Sequence, residues 1–403
     1  MIISFSLTLV KYFVILFWVI NVIKKYEEKL IELRREFHQI PEPGYSEFKT
    51  KEKIIEYLKN LGIEDIKEVG ETGVCAVIYG NGTKTVGLRA DIDALKITEE
   101  TGLSFSSVHE GYMHACGHDG HIAMSLIVAE FFNTHKDLLK GNLKLIFQPA
   151  EEVDGGAQMM IEKGVLQNPK VDCMLSGHLW PSIETGYIDI SEGTTFASDT
   201  LIEIELMGKG GHAAYPEMVK NVVLCGSEII IALDNLSREF NKKGYKNVLS
   251  MCSFDCASGN NIFKDNAHLK GTLRMLDEKS ERLLSKAISD TVLAICNKYD
   301  IKCECDVILN YIPLVNDTQT VKKVREAVSD ALGKDKIIEL GYAMTAEDFA
   351  YFAKAVPSCH LKIGTRIDGY EYPLHNSRYN LNEKSLITGV EAFVNGIIKL
   401  LED

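Results

Sequence analysis

The sequence predicts an α/β protein: a mainly parallel sheet layered with helices and interrupted by a smaller α+β insert. Two observations carry this. From Tyr26 to about residue 196, amphipathic helical runs alternate with short apolar strands, the pattern of a parallel sheet with ligand sites at its strand C-terminal ends. From about Ala197 the order changes to a period-2 strand, a long helix, two strands and another helix, the mark of a compact α+β unit. A chain of 403 residues also exceeds one ordinary core.

The chain begins with an unusual segment. Residues 2–23 are almost wholly apolar, broken by Lys11 and followed by Lys24 and Lys25. Their length suits a membrane span of about 20 residues, and the two lysines would leave the body on the cytoplasmic side. A translation start further downstream is the other reading. On either reading residues 1–23 are an apolar extension that the folded core should not need.

The elements then follow in order. Glu27 to Ile40 reads as an amphipathic helix with Leu30, Leu33 and Phe37 inward, stopped by Pro41 and Pro43. Ser46 to Leu61 reads as a second helix. Val74 to Tyr79 and Thr85 to Ala90 read as strands, with Asn81-Gly82 between them as a hairpin signal. Leu143 to Phe147 and Val171 to Leu175 are further strands. An apolar run from Ile122 to Phe132 has helical spacing, with Asp119 as its expected N-cap. In the insert, strands are expected at Leu201 to Leu206, Asn247 to Phe254 and Ala267 to Met275. Helices are expected over Met218 to Phe240 and Asp277 to Tyr299. Cys305 to Leu309, Ile337 to Leu340 and Cys359 to Ile363 read as strands returning to the first layer, with helices from Gln319, Ala346 and Glu383.

Composition excludes some classes of function. A net charge of −13 without a basic stripe argues against nucleic acid. Ten scattered cysteines in a long chain fit a reducing compartment better than a disulfide framework.

The chemistry gathers at strand ends. One strand runs into Arg89-Ala90-Asp91-Ile92-Asp93, another into Gln148-Pro149-Ala150-Glu151-Glu152, and a third into Ser176-Gly177-His178. Between the first two lies Met113-His114-Ala115-Cys116-Gly117-His118-Asp119-Gly120-His121. Thiolate and imidazole are zinc-type donors, and Cys116 and His118, two apart, leave the same face of extended backbone. Tyr372-Pro373-Leu374-His375 adds another imidazole. Any one of these is most simply a helix cap or a structural histidine. Their joint placement points to a metal.

The same residues carry a family resemblance. Leu33 to His38, Leu88 to Leu95, Met113 to His121, Ile146 to Glu152, Gly208 to Ala214, Glu347-Asp348-Phe349 and Leu374-His375-Asn376 occur in the order seen in the zinc-peptidase-like amidohydrolases. That group includes aminoacylases, hippurate hydrolases, auxin-conjugate hydrolases and N-acetyldiaminopimelate deacetylases. The resemblance implies a catalytic domain of residues 24–196 and 305–403, with a satellite dimerisation domain of residues 197–304 inserted in it. It implies Cys116, His118, Glu152, His178 and His375 as ligands for one or two divalent ions (manganese, zinc or nickel), with Cys116 a candidate bridge. Glu151 then resembles the general base, and Asp91 a second catalytic acid that orients a ligand. His212 resembles a histidine that stabilises the oxyanion. Asn261 and Arg274 are candidates for gripping a substrate carboxylate. Here the chain departs from the family, reading Ile262-Phe263-Lys264-Asp265 where relatives show Ile-Pro-Asp after the asparagine.

The expected activity is metal-dependent hydrolysis of the amide bond of an N-acyl-amino acid. The alternatives are a dipeptidase or carboxypeptidase, an N-acetyldiaminopimelate deacetylase of lysine biosynthesis, and an inactive metal-binding scaffold. Intact Glu151 and all five ligands argue against the scaffold. The expected partners are a small N-acyl-amino acid or short peptide and further copies of the chain, as homodimer or homotetramer. Nucleic acid is not expected. Membrane contact is expected only through residues 1–23, on a cytoplasmic protein.

Overall fold

The computed structural model describes residues 14–402 except 154 and 258. The chain forms two compact units. The first comprises residues up to Gly193, Asn316–Gly341 and the chain from Tyr351 on; the second comprises Thr194–Val315 and Tyr342–Ala350.

The first unit is built on an eight-stranded mixed sheet. Its order is Asp65–Val69, Gly73–Tyr79, Asn142–Gln148, Thr85–Asp91, Cys173–Glu184, Ser358–Arg366, Ile188–Asp189 and Ile337–Ile338. The central four strands, from Asn142–Gln148 to Ser358–Arg366, run parallel. Every residue of Thr85–Asp91 and Asn142–Gln148 is buried, as expected of strands covered on both faces. The helix His118–Thr134 is buried on nearly all sides, and Glu27–His38 and Lys384–Leu401 pack on it.

Three expectations are corrected. The hairpin across Asn81-Gly82 does not form, because the strand Asn142–Gln148 inserts between the two strands it would join. The turn instead docks on the approach to that strand, with Asn81 N–H donating to Leu139 O and Asn142 N–H to Lys84 O. Asp119 is not the N-cap of its helix. Gly117 takes that position with φ 85°, and Asp119 turns inward as described below. Lys302–Tyr311 does not rejoin the first sheet but pairs with Asp199–Met207 in the second. Its inward Cys303, Cys305 and Val307 pack on that unit's core.

The second unit has its own four-stranded antiparallel sheet, ordered Asn247–Asp255, Asn266–Met275, Asp199–Met207 and Lys302–Tyr311. The helices Val222–Lys242 and Glu278–Lys298 bury Ile229, Leu233, Leu284, Ile288 and Val292 against it. Asn221 and Asp277 cap the two helices through side-chain oxygens.

The apolar N-terminal run differs from expectation in part. Residues 1–13 lie outside the described residues. Residues 14–23 are helical, and among the described residues no helix is long and apolar enough to cross a membrane. Val19 and Ile23 are 1% and 0% exposed and belong to the main core of the first unit. Val19 and Ile23 are therefore part of the core rather than of a dispensable extension. Replacing Ile23 with Ala should cost about 2–5 kcal/mol, as for other fully buried aliphatic residues. The denaturation midpoint checks this, and a shift of only a few tenths of a kcal/mol would show that the helix is dispensable.

A pH dependence follows from Glu391, on the helix Lys384–Leu401. Burial raises its carboxyl to about 7, partly countered by Lys24, and its Oε1 has no hydrogen-bond partner. A carboxyl raised on folding adds stability below its unfolded value of about 4.5, and this is lost as pH rises through 7. Glu391→Gln should therefore stabilise the chain at pH 8 and leave it unchanged at pH 4. Equal urea midpoint shifts at both pH values would contradict this.

Candidate active site

The site is assembled in the first unit from the turn before the helix His118–Thr134, the segment after the strand Asn142–Gln148, the middle of the strand Cys173–Glu184 and the turn at His375. Gly117 lets the chain turn sharply between Cys116 and His118; a Cβ there would stand 3.0 Å from Tyr379 Oη as well as at an unfavourable φ. Cys116 Sγ lies 3.3 Å from His178 Nε2 and 3.3 Å from His375 Nε2. His375 Nε2 is in turn 3.2 Å from Glu152 Oε1, and His118 Nε2 is 4.0 Å from the same oxygen. His375 has φ 66° and donates its N–H to Ala115 O, which ties the C-terminal turn to the Cys116 loop.

These donors form two overlapping trios. One is Cys116, His118 and His178; the other is Cys116, Glu152 and His375. Within each, one potential ligand atom per residue lies within 4.8 Å of the others. Glu151 joins His118 and Glu152 in a further such group. The fit to a cation is supported by an orphaned atom: His118 Nε2 is buried without a hydrogen-bond partner, which is unfavourable unless something else pairs it.

The electrostatics agree. Burial, then the carboxylates of Glu152 and Glu151, push the Cys116 thiol well above its ordinary range. Burial opposes charge on His118, but Asp91 and Asp93 outweigh it and raise the ring to about 10. Glu152 is lowered, since His375 and His118 overcome the effect of burial. A divalent ion at this position would displace protons from these groups and favour the thiolate.

Asp91, at the end of its strand, faces His121 and Arg89. Its Oδ1 is 2.5 Å from His121 Nδ1 and its Oδ2 accepts from Arg89 Nη1 at 2.8 Å. It approaches His118 Nε2 only to 3.6 Å. The acid against His118 Nδ1 is Asp93, at 3.2 Å.

The remaining candidates lie in the second unit. His212 pairs with Ile262 on a two-stranded ribbon, and Ala213 N–H donates to Asn261 O, so His212 and Asn261 are neighbours. His212 Nδ1 accepts from Ala214 N–H. Arg274 Nη1 pairs with Asp199 Oδ1 at 3.1 Å.

Sequence reasoning missed a buried charge network behind the Cys116 loop. Arg34 Nε donates to Asp119 Oδ2 at 2.7 Å, and His38 Nδ1 lies 2.8 Å from the same oxygen. All three side chains are fully buried. Burial would raise Asp119, but Arg34 and His38 hold it well below the usual carboxylate range. The available signal was the spacing of Arg34 and His38, four apart and on one helix face.

Comparison with known proteins decides the family. Residues 87–399 match the model described as peptidase family M20/M25/M40. The chain belongs to this family. It is 34% identical over 362 residues to an N-acetyldiaminopimelate deacetylase of Priestia megaterium, covering 89% of this chain and 95% of that protein. It is also 34% identical over 368 residues to the Bacillus subtilis enzyme of the same name, covering 90% and 96%. Among solved structures, a dinuclear metal-binding M20 peptidase of Bacillus subtilis superposes with TM-score 0.81 at 30% identity, covering 94% of this chain and 99% of that one. The M20 member described here is thus a metal-dependent amidohydrolase.

The buried network gives a test of what holds the Cys116 loop. Replacing Arg34 with Met, of similar reach, leaves Asp119 short of its guanidinium and should cost about 3–5 kcal/mol. An unchanged urea midpoint would mean that the network does not support the loop.

Proposed function

We propose that this M20 enzyme hydrolyses N-acyl-amino acids, with N-acetyldiaminopimelate the first substrate to test. In this reading Cys116, His118, Glu152, His178 and His375 would hold two divalent ions, and Glu151 is the general base. The observation that carries it is the pair of donor trios meeting at Cys116, with Glu151 beside them. The description of the Bacillus subtilis neighbour as dinuclear supports two ions, and the names of the curated relatives support an N-acetyl group. A mixed thiolate, imidazole and carboxylate set suits manganese, zinc or nickel.

Divalent ions at this position would supply positive charge that acidifies an attacking water and polarises the amide carbonyl. Glu151, 8% exposed at the site, takes the proton from that water and returns it to the leaving amine, so one carboxylate serves as base and then acid. Glu152, its neighbour, is turned onto His375 and His118 instead. Adjacent glutamates thereby do different work. His212 is proposed to stabilise the oxyanion, and Asn261 to hold the substrate carboxylate. Arg274 is the weaker partner for that carboxylate, since Asp199 already engages its guanidinium.

Assembly as a homodimer or homotetramer belongs to the same proposal. Val223, Leu224 and Ile231, exposed along the helix Val222–Lys242, support it. A reducing, cytoplasmic setting is supported by ten cysteines that are all free thiols.

The decisive assay presents the metal-loaded enzyme with N-acetyldiaminopimelate, other N-acetyl amino acids, hippurate and dipeptides. Turnover confined to dipeptides would overturn the acyl-amino acid reading. Glu151→Gln should keep its metal and lose turnover by about 10²–10⁴-fold, whereas Cys116→Ala should lose metal as well. A Glu151→Gln enzyme within a few-fold of the parent kcat would remove Glu151 as base.

A further inference from the structure

Three thiols meet in the core of the second unit. Cys225 lies near the start of the helix Val222–Lys242, Cys296 near the end of Glu278–Lys298, and Cys303 at the start of the strand Lys302–Tyr311. The start of one helix is clamped to the end of the other. Lys298 Nζ reaches both oxygens of Glu228 at 2.7 and 2.8 Å, Tyr299 Oη donates to Glu228 Oε2, and Lys220 Nζ pairs with Asp300 Oδ2 at 2.7 Å. The chain then turns back, with Ile301 N–H donating to Cys296 O at 2.9 Å, and Cys303 follows. The sulfurs form a row in which Cys303 S–H donates to Cys296 and Cys296 S–H donates to Cys225. Cys225 and Cys296 are 0% and 1% exposed, whereas Cys303 is only half-buried.

We infer that this trio is an oxidation site, at which a hydroperoxide joins Cys296 to one of its two neighbours as a disulfide. A single thiol in a core serves as a small apolar side chain. Three sulfurs in an unbroken row differ, because a sulfur oxidised within the row has a second thiol in reach to condense with it. The row also has a direction. The hydrogen bond from Cys296 lowers the Cys225 thiol, and the start of a helix acts the same way on a cysteine. Burial, then the bond to Cys296, push the Cys303 thiol up to about 12. Cys225 is therefore the nucleophile, and Cys303 marks the open side from which a water-sized oxidant enters. None of the proposed metal donors takes part.

The chemistry balances in two steps. The Cys225 thiolate attacks one oxygen of hydrogen peroxide; the S–O bond forms, the O–O bond breaks, and the leaving hydroxide takes the proton that Cys225 gave up, forming water. Cys296 sulfur then attacks the sulfur of the Cys225 sulfenic acid. The S–S bond forms, the S–O bond breaks, and the hydroxyl leaves with the Cys296 proton as a second water. Two thiols together lose two electrons, and one peroxide is reduced to two waters. Cys303 then exchanges onto Cys296 and releases Cys225, the more acidic thiol and so the better leaving group. Either disulfide contains Cys296, and an added dithiol reverses both.

The test treats the metal-loaded full chain with hydrogen peroxide, alkylates the remaining thiols in denaturant, and reads a tryptic digest by mass spectrometry without reduction. Lys298 and Lys302 place Cys296 and Cys303 in separate peptides, so each link is identified directly. The Cys296 peptide should appear joined to that of Cys225 or Cys303, within one chain, and the link should be lost on adding dithiothreitol. Cys296→Ser should abolish both linked species and leave a Cys225 sulfenic acid that dimedone captures. Cys252→Ser, which removes an exposed thiol, should leave the links unchanged. The parent chain decides the matter even where Cys296→Ser does not fold. Full alkylation of Cys225, Cys296 and Cys303 after peroxide would overturn the inference, as would oxidation confined to Cys116 or Cys252.

Discussion

The first unit is arranged around one electrostatic constraint: a thiol, three imidazoles and two glutamates share a small, largely buried space. Charges of one sign cannot be kept there without compensation, since each pays desolvation and repels its neighbours. Burial and the neighbouring carboxylates push the Cys116 thiol up, and Asp91 and Asp93 raise His118. A divalent ion resolves both at once. It replaces protons with a charge that every donor can share, so metal binding and the protonation of the site are one equilibrium.

That constraint reaches into the backbone. Gly117 and two non-glycine residues near the donors, Ala150 and His375, adopt positive φ. Such conformations cost about 1–2 kcal/mol for residues with a Cβ and persist only where surrounding contacts enforce them. At Ala150 the contact is Glu47, whose Oε1 accepts the Ala150 N–H at 2.8 Å while its other oxygen takes the Thr72 hydroxyl. At His375 it is the Ala115 carbonyl. Each strained turn is thus held by a hydrogen bond from a different stretch of chain, and each immediately precedes or contains a proposed ligand or base.

What was legible in the sequence follows from the same physics. Glu151 and Glu152 could be singled out as candidates because they follow an apolar strand, and Cys116 and His118 because metal-type residues crowd one short turn; the structure brings Cys116, His118 and His178 within reach of one another. The α/β class was legible from the alternation of helices and strands. Pairing was not. Asn81-Gly82 looked like a hairpin because turn chemistry is local, whereas the insertion of Asn142–Gln148 is a long-range event that no local pattern encodes. Lys302–Tyr311 has the period-2 character of any half-buried strand, and nothing in it names the sheet it joins. Asp119 looked like a cap because its position suited one; its buried partners Arg34 and His38 lie more than eighty residues earlier. The apolar run at residues 14–23 looked surplus because a sequence shows hydrophobicity but not the core surface that absorbs Val19 and Ile23.

The network of Arg34, His38 and Asp119 explains how the cluster can be ready for metal before metal arrives. The helix that carries His118 begins without a side-chain cap, so its first turn is not held in the usual local way. Instead Asp119, the second residue of that helix, is anchored by a guanidinium and an imidazole on another helix, all beyond the reach of water. The anchor involves none of the proposed ligand atoms. It therefore keeps its strength whether or not the donors are occupied, and fixes the backbone of His118 in both states. A loop ordered in advance spares the binding ion the conformational entropy of ordering it, about 1–2 kcal/mol for each residue already fixed. A buried charge network one residue from a proposed ligand is thus better understood as preorganisation of the site than as a source of net stability, which buried ion pairs seldom provide.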